Sequence, residues 1–427
     1  MAEPDENRDA HSQTGNGLGG HVRSHARGLS AVALASVLGV VASFVFQVAS
    51  ARYLAPVDFG LLSAFLVVVS TAAVGSSSLQ NIVTVQTAAA LVAPARVRPS
   101  RRMPWEAIAV GVGGGAVVAV VSPWLATALD TSPSVILAAA VCIPLSFVFA
   151  DALGLLQGSG DVSRAVWWST ISLVARIVLL FVAVLIGAGL AGVIGSVVAA
   201  TAVSVVGALW SARRIARPVE GAFTANGITI LVLTVAFAWL TTSDVIFLRA
   251  GGADALVGTY ASVTVLVKAG FLVPSTLSLY LLPRFVRNRG NRRLSRIGVL
   301  ATLALSLATS LAMTAFFALF GPWLIHVLYG ESFASAADLL VPVSLAYLPW
   351  MAAQGMLIKM TSTASRGGAA ILIVAVLAQW ITFTAVVPDV YAMLAWFAGI
   401  GVVVLTIFLI LDSLQARHAA AAVGNDT

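Results

Sequence analysis

Apolar residues run through this chain in blocks of about twenty or more, broken by short polar turns. A run of that length crosses a bilayer core of about 30 Å as a helix. Twelve such spans are predicted, at 29–50, 60–90, 106–126, 134–156, 165–187, 190–210, 224–249, 258–283, 295–319, 335–358, 367–387 and 390–412. The fold class is therefore an all-α polytopic membrane protein. Prolines 144, 274, 342 and 349 fall inside spans, where they are expected to kink or hinge the helix.

Composition agrees. Apolar residues make up 59% of the chain and charged ones 10%, and the mean hydropathy is +0.99, outside the range of a soluble domain. The net charge of +7 would suit nucleic acid, but the placement of the basic residues assigns them to topology instead. Of 24 basic residues, 20 fall in segments on one side of the spans. The positive-inside rule makes that side cytoplasmic and puts both termini there, in a cell (inner or plasma) membrane. The other side carries Arg52 and Arg249 among acids such as Asp58, Asp130 and Asp254. Cys142 is the one cysteine, so no disulfide or cysteine metal site is expected.

The chain also repeats itself weakly. SPWL at 122–125 matches GPWL at 321–324, LLQGSGDVSR at 155–164 aligns with LIKMTSTASR at 357–366, and Gly60 falls over Gly258, all at offsets near 200. The expected organisation is a cytoplasmic tail at 1–27, a six-helix lobe at 28–210, a linker at 211–223, a second six-helix lobe at 224–413 and a tail at 414–427. An even number of spans per lobe relates the lobes by an axis along the membrane normal.

The candidate chemistry is buried charge. There is no phosphate loop, nucleophile elbow or His/Cys metal spacing, so no enzyme, metal or cofactor is expected. Lys268 lies ten residues into its span, roughly 15 Å below its start at 1.5 Å per residue. Arg176 sits as deep in the other lobe. A charge at the bilayer centre costs at least about 2.5–3.5 kcal/mol, so each must face protein or water. Together they are candidates for a central anion site, with Arg52 and Arg249 on its outer rim. The alternative is structural pairing: Arg176 with Asp151, Lys268 with Asp244. Span two adds a polar stripe of Ser77, Gln80, Asn81 and Thr84, for a cavity or a close helix contact.

ARYLAPVDFGLLSAF at 51–65, LLQGSGDVSR, SDVIFLRAGGADALVGTYASVTVLVKA at 243–269 and LYGESFASAADLL at 328–340 resemble the polysaccharide flippases, O-antigen type exporters of the multidrug/oligosaccharidyl-lipid/polysaccharide superfamily. The resemblance covers about residues 28–413. It implies a V-shaped bundle of two six-helix lobes around a cationic cavity, with Arg52, Asp244, Gly258, Tyr260 and Lys268 on motif positions. It further implies a flippase for a polyprenyl-diphosphate-linked oligosaccharide, working by alternating access. Joined to the reading of buried charge, in which Arg176 is a candidate by burial and not by motif, this places the diphosphate at Lys268, Arg176, Arg52 and Arg249 and the sugar at Ser77, Gln80 and Asn81, with Asp244 or Asp151 expected to serve coupling or ion pairing. Expected partners are that substrate, membrane lipids and a glycan polymerase or glycosyltransferases. The rival readings are a cation-coupled drug or metabolite exporter of the same superfamily, and a non-transport membrane scaffold for glycan assembly.

Overall fold

The structure is a computed structural model describing residues 34–424 except 36, 40, 44, 48, 51, 55, 93–102, 129–130, 218–223, 251–253, 288–291, 330 and 332–333. The described residues are helical almost throughout, with no strand among them. The helices are α1 (Val37–Gln47), α2 (Pro56–Val92), α3 (Trp105–Val120), α4 (Ser122–Ala128), α5 (Pro133–Ser159), α6 (Val162–Leu185), α7 (Gly189–Ala212), α8 (Ala225–Thr242), α9 (Asp244–Ala250), α10 (Asp254–Lys268), α11 (Leu272–Arg287), α12 (Arg292–Tyr329), α13 (Ala336–Ser362), α14 (Arg366–Val386) and α15 (Val390–Gly424). A 3-10 turn, Ala269–Phe271, joins α10 to α11. Among the described residues ten helices are long and apolar enough to cross a membrane, and α1 and α3 are shorter apolar helices at the remaining two expected positions.

Several boundaries differ from the sequence expectation. The seventh span is two helices, broken at Ser243, and the eighth is broken at 269–271, just ahead of Pro274. Pro144, Pro342 and Pro349 instead lie inside unbroken helices. The arginine-rich segment at 284–296 is mostly helix ends, and Lys359 lies inside α13, buried, rather than in a loop. Helix α15 continues through the expected C-terminal tail to Gly424. The expected N-terminal tail at 1–27 lies outside the described residues.

The repeated turns have the same geometry, with a shifted register. After α5, Gly160 adopts φ +100°, its N–H bonds Gln157 O, the Asp161 N–H bonds Leu156 O, and the Asp161 carboxylate caps α6 by accepting from the Arg164 N–H. After α13, Ala364 adopts φ +47°, its N–H bonds Thr361 O, the Ser365 N–H bonds Met360 O, and the Ser365 hydroxyl caps α14 by accepting from the Gly368 N–H. Both are left-handed helix ends followed at once by an N-cap. The structural offset is 204, two residues from the alignment by sequence, because the capping geometry and not residue identity is repeated.

Among the described residues the core divides into two large clusters and a small one of Ala35, Val162 and Val166. One large apolar cluster, including Leu62, Phe65, Ile136, Leu180 and Val197, comes from α1–α7 and the turn between α1 and α2, in the half of the bundle away from the arginine-rich turns. The other takes Leu79–Ala88, Ile143–Leu156 and Ala208–Ala212 from the arginine-rich half of those helices and continues through α8–α15 to Phe408. The two lobes thus share a core at the arginine-rich end and have separate cores at the opposite end.

Candidate functional site

The break at Ser243 has its own supports. Helix α8 ends there without proline or glycine, which leaves carbonyls near its end needing donors. Gln379, fully buried on α14, donates its side-chain amide to Leu240 O at 3.0 Å and accepts from the Ser243 hydroxyl at 3.1 Å. The chain restarts at Asp244, whose position in the first turn of α9 suits a negative charge.

Asp244 is fully buried, and two phenols and one ammonium donate to it. Its Oδ2 accepts from the Tyr260 hydroxyl at 2.8 Å and from the Tyr347 hydroxyl at 2.5 Å; its Oδ1 accepts from Lys268 Nζ at 3.1 Å. Three donors go far to meet the needs of a carboxylate away from water. Both tyrosines are fully buried, and the Tyr347 ring is wedged against Phe271 and Phe397. Lys268 differs from them: its side chain keeps 26% exposure, with the ammonium 5.6 Å from the Tyr347 ring centroid.

That exposure opens onto a cavity of about 330 Å³, to which Lys268 contributes together with Asn81, Thr234, Thr241, Ser278 and Gln354. Phe237, Phe271 and Leu357 form apolar parts of its wall. One ammonium, several hydroxyls and two amides around an otherwise apolar space can take an anionic group with attached hydroxyls.

Arg176, Asp151 and Arg52 are placed elsewhere. Arg176, on α6, does not line this cavity, so it does not face Lys268 across it; its Nε is buried without a hydrogen-bond partner, and Cys142 is an electrostatic neighbour. Nor does Arg176 pair with Asp151. The buried Asp151 carboxylate is held by Arg217 in a two-pronged ion pair, 2.9 and 2.7 Å, because the linker folds back onto α5. Arg52 is exposed at the end of the bundle opposite the arginine-rich turns, and the Arg249 side chain lies outside the described residues.

The stripe on α2 divides between neighbours. Asn81 reaches the cavity and donates to the Thr234 hydroxyl at 3.4 Å. Gln80 donates to the Gln157 side chain at 3.1 Å, and Thr84 is buried against the same glutamine and Gly154 O. Ser77 is exposed and bonds back to its own helix, at Val74 O. The small faces of Gly154 and Gly158 explain the close approach of α5: a Cβ on either would come within 2.8 Å of an α2 backbone oxygen.

Two contacts cross from α5 to α11 at the arginine-rich end. The Gln157 amide donates to Leu279 O at 3.1 Å, and the Arg287 guanidinium donates to Gly158 O at 2.6 Å. Sequence reading missed these, and also Tyr347, Gln379 and Arg217. A tyrosine and a glutamine inside apolar spans were visible signals, since neither is left in lipid without a partner.

The sequence model of the family described as "Polysaccharide biosynthesis protein" matches residues 25–289. A search of curated proteins found no match. Among solved structures, the chain is similar to a multidrug resistance MATE family transporter of the MOP superfamily in an outward-facing conformation, with a TM-score of 0.73 at 12% identity over 92% of this chain and 96% of that one. A MATE structure in complex with MaL6 gives 0.75 at 12% identity, over 92% and 97%. The bent form of the Vibrio cholerae MATE transporter VcmN gives 0.73 at 13% identity, over 93% and 98%. At these identities the likeness is one of fold.

Proposed function

Because the chain belongs to the polysaccharide biosynthesis protein family, we propose that it is a flippase that carries a polyprenyl-diphosphate-linked oligosaccharide from the cytoplasmic to the outer leaflet. The observation that carries the reading is Lys268: a cation at membrane depth, held at 3.1 Å from a buried carboxylate and still open to a cavity lined by hydroxyls and amides. Its ammonium has N–H groups to spare for a phosphate while one remains on Asp244. Asn81, Thr234, Ser278 and Gln354 are the hydrogen-bonding groups for the sugar nearest the diphosphate. A cavity of about 330 Å³ is at the small end for a ligand pocket, so the rest of the glycan would extend into the space between the lobes, and the polyprenyl tail would stay in lipid.

The shared core at the arginine-rich end supports a state closed on that side. If the arginine-rich side is cytoplasmic, the conformation is outward-facing. Alternating access would then proceed by parting the α5–α11 contacts and closing the opposite end.

A second reading, a cation-coupled exporter of drugs or metabolites, draws on one observation: Asp244 is a buried acid beside the same cavity. Reconstituted protein separates the two. Faster flipping of a fluorescent prenyl-diphosphate sugar than of the matching uncharged prenyl sugar supports the flippase. Gradient-driven movement of a cationic dye, with no protein-dependent flipping of the diphosphate, would move the assignment to the exporter.

A further inference from the structure

Lys268 is asked to do two things that conflict. It neutralises Asp244 in a buried site, and it must be available to an incoming anion. Removing one partner of a buried ion pair leaves an uncompensated charge, at a cost that normally makes such a pair hard to part. The geometry around Asp244 resolves the conflict. The carboxylate divides its two oxygens: Oδ1 faces the ammonium, and Oδ2 takes both phenols, Tyr260 at 2.8 Å and Tyr347 at 2.5 Å.

The phenols come from different helices, α10 and α13, and both hydroxyls point into protein, that of Tyr347 lying also 3.3 Å from the Thr241 carbonyl. Tyr260 and Tyr347 are fully buried, and the cavity lining includes Lys268 but neither tyrosine nor Asp244. The three donors are therefore unequal, two fixed in protein and one at the cavity wall.

We infer that Tyr260 and Tyr347 are positioning residues for anion binding: they hold the Asp244 carboxylate while Lys268 turns its charge toward an anion in the cavity. The inference rests on the proposed role of Lys268 and adds what makes that lysine available. Without the phenols the ammonium is the one side-chain donor left to the carboxylate among the described residues, and the anion must compete for it at full strength. With them, the carboxylate keeps two hydrogen bonds whichever way the lysine leans.

The test uses the full chain purified in detergent and geranyl diphosphate as the probe, with binding followed by calorimetry. Wild type binds, and Lys268→Met weakens binding at least about tenfold, the scale of one lost hydrogen bond between charged groups. Equal binding by Lys268→Met overturns the underlying role of the lysine. With that role standing, Tyr260→Phe/Tyr347→Phe weakens binding by about tenfold, and each single change by less. In an Asp244→Asn background the same double change has no further effect, because there is no carboxylate left to hold.

A phenol effect that persists in Asp244→Asn identifies a merely structural role and overturns the inference. So does unchanged or tighter binding by the double variant in the wild-type background. Loss of all binding in Asp244→Asn overturns it too, since the carboxylate would then be building the site instead of competing for the lysine.

Discussion

The Gln157 side chain of α5 donates to the main-chain carbonyl of Leu279 on α11 across 3.1 Å, and the same glutamine accepts from Gln80 on α2 at 3.1 Å. A single buried amide thus joins three helices at the arginine-rich end, beside the Arg287 contact to Gly158 O. These polar contacts lie where the apolar core also continues from one lobe to the other.

Loosening that end is the first expected effect. Gln157→Ala/Arg287→Ala removes two cross-lobe hydrogen bonds, one of them charged, worth about 1 and about 2 kcal/mol. Since Cys142 is the one native cysteine and is buried, Thr361→Cys at the cavity provides a clean reporter. Labelling by an impermeant maleimide from the arginine-rich side should quicken about tenfold or more in the double variant. An unchanged rate would mean that the apolar core alone keeps this end shut.

How much of this was legible depends on which physical signal each feature leaves in the chain. Span positions follow from hydropathy, because lipid penalises any long polar stretch, and they agree with the structure to within a few residues for most helices. The break at Ser243 leaves no proline or glycine signal, because the Leu240 carbonyl ahead of it is satisfied from a distant helix by Gln379. No span reveals the partner of Asp151, because Arg217 arrives from a linker that has no depth in the membrane. Lys268 and Asp244 stood out as charges in apolar runs, and the same logic applied to the uncharged Tyr347 and Gln379 would have completed the cluster.

The Arg217–Asp151 pair should behave as a buried ion pair, with side-chain exposures of 17% and 7%. Asp151→Asn or Arg217→Met alone leaves one buried charge and should cost about 3–5 kcal/mol. The double change Asp151→Leu/Arg217→Met should cost clearly less. Denaturation of the purified variants measures both, and additive losses in the double variant would contradict the pairing.

Glycine 158 is a packing requirement. A Cβ there meets the Thr84 carbonyl at 2.7 Å and Thr87 Cβ at 2.6 Å, so Gly158→Ala must push α2 and α5 apart. Overpacking of this kind costs about 1–3 kcal/mol. Because Gly158 O also receives Arg287, the variant should quicken labelling of Thr361→Cys as well. A stable protein with unaltered labelling would show that the α2–α5 contact yields without consequence.

Gln379→Leu removes the donor to Leu240 O and the acceptor of the Ser243 hydroxyl at once. Each buried group left unsatisfied costs about 1–3 kcal/mol. The helix break just before Asp244 should loosen, seen as faster amide exchange at 240–245 than in wild type. Equal exchange would mean that the break is held by Tyr347 and packing alone.

The most direct measurement of the central claim places purified protein in liposomes with a labelled polyprenyl-diphosphate oligosaccharide, and scores exposure of the sugar to an external glycosidase. The account predicts protein-dependent exposure with wild type and loss of most of it with Lys268→Ala, although that variant inserts and folds. Full flipping by Lys268→Ala would contradict the role assigned to the lysine, and no flipping by wild type would contradict the flippase itself.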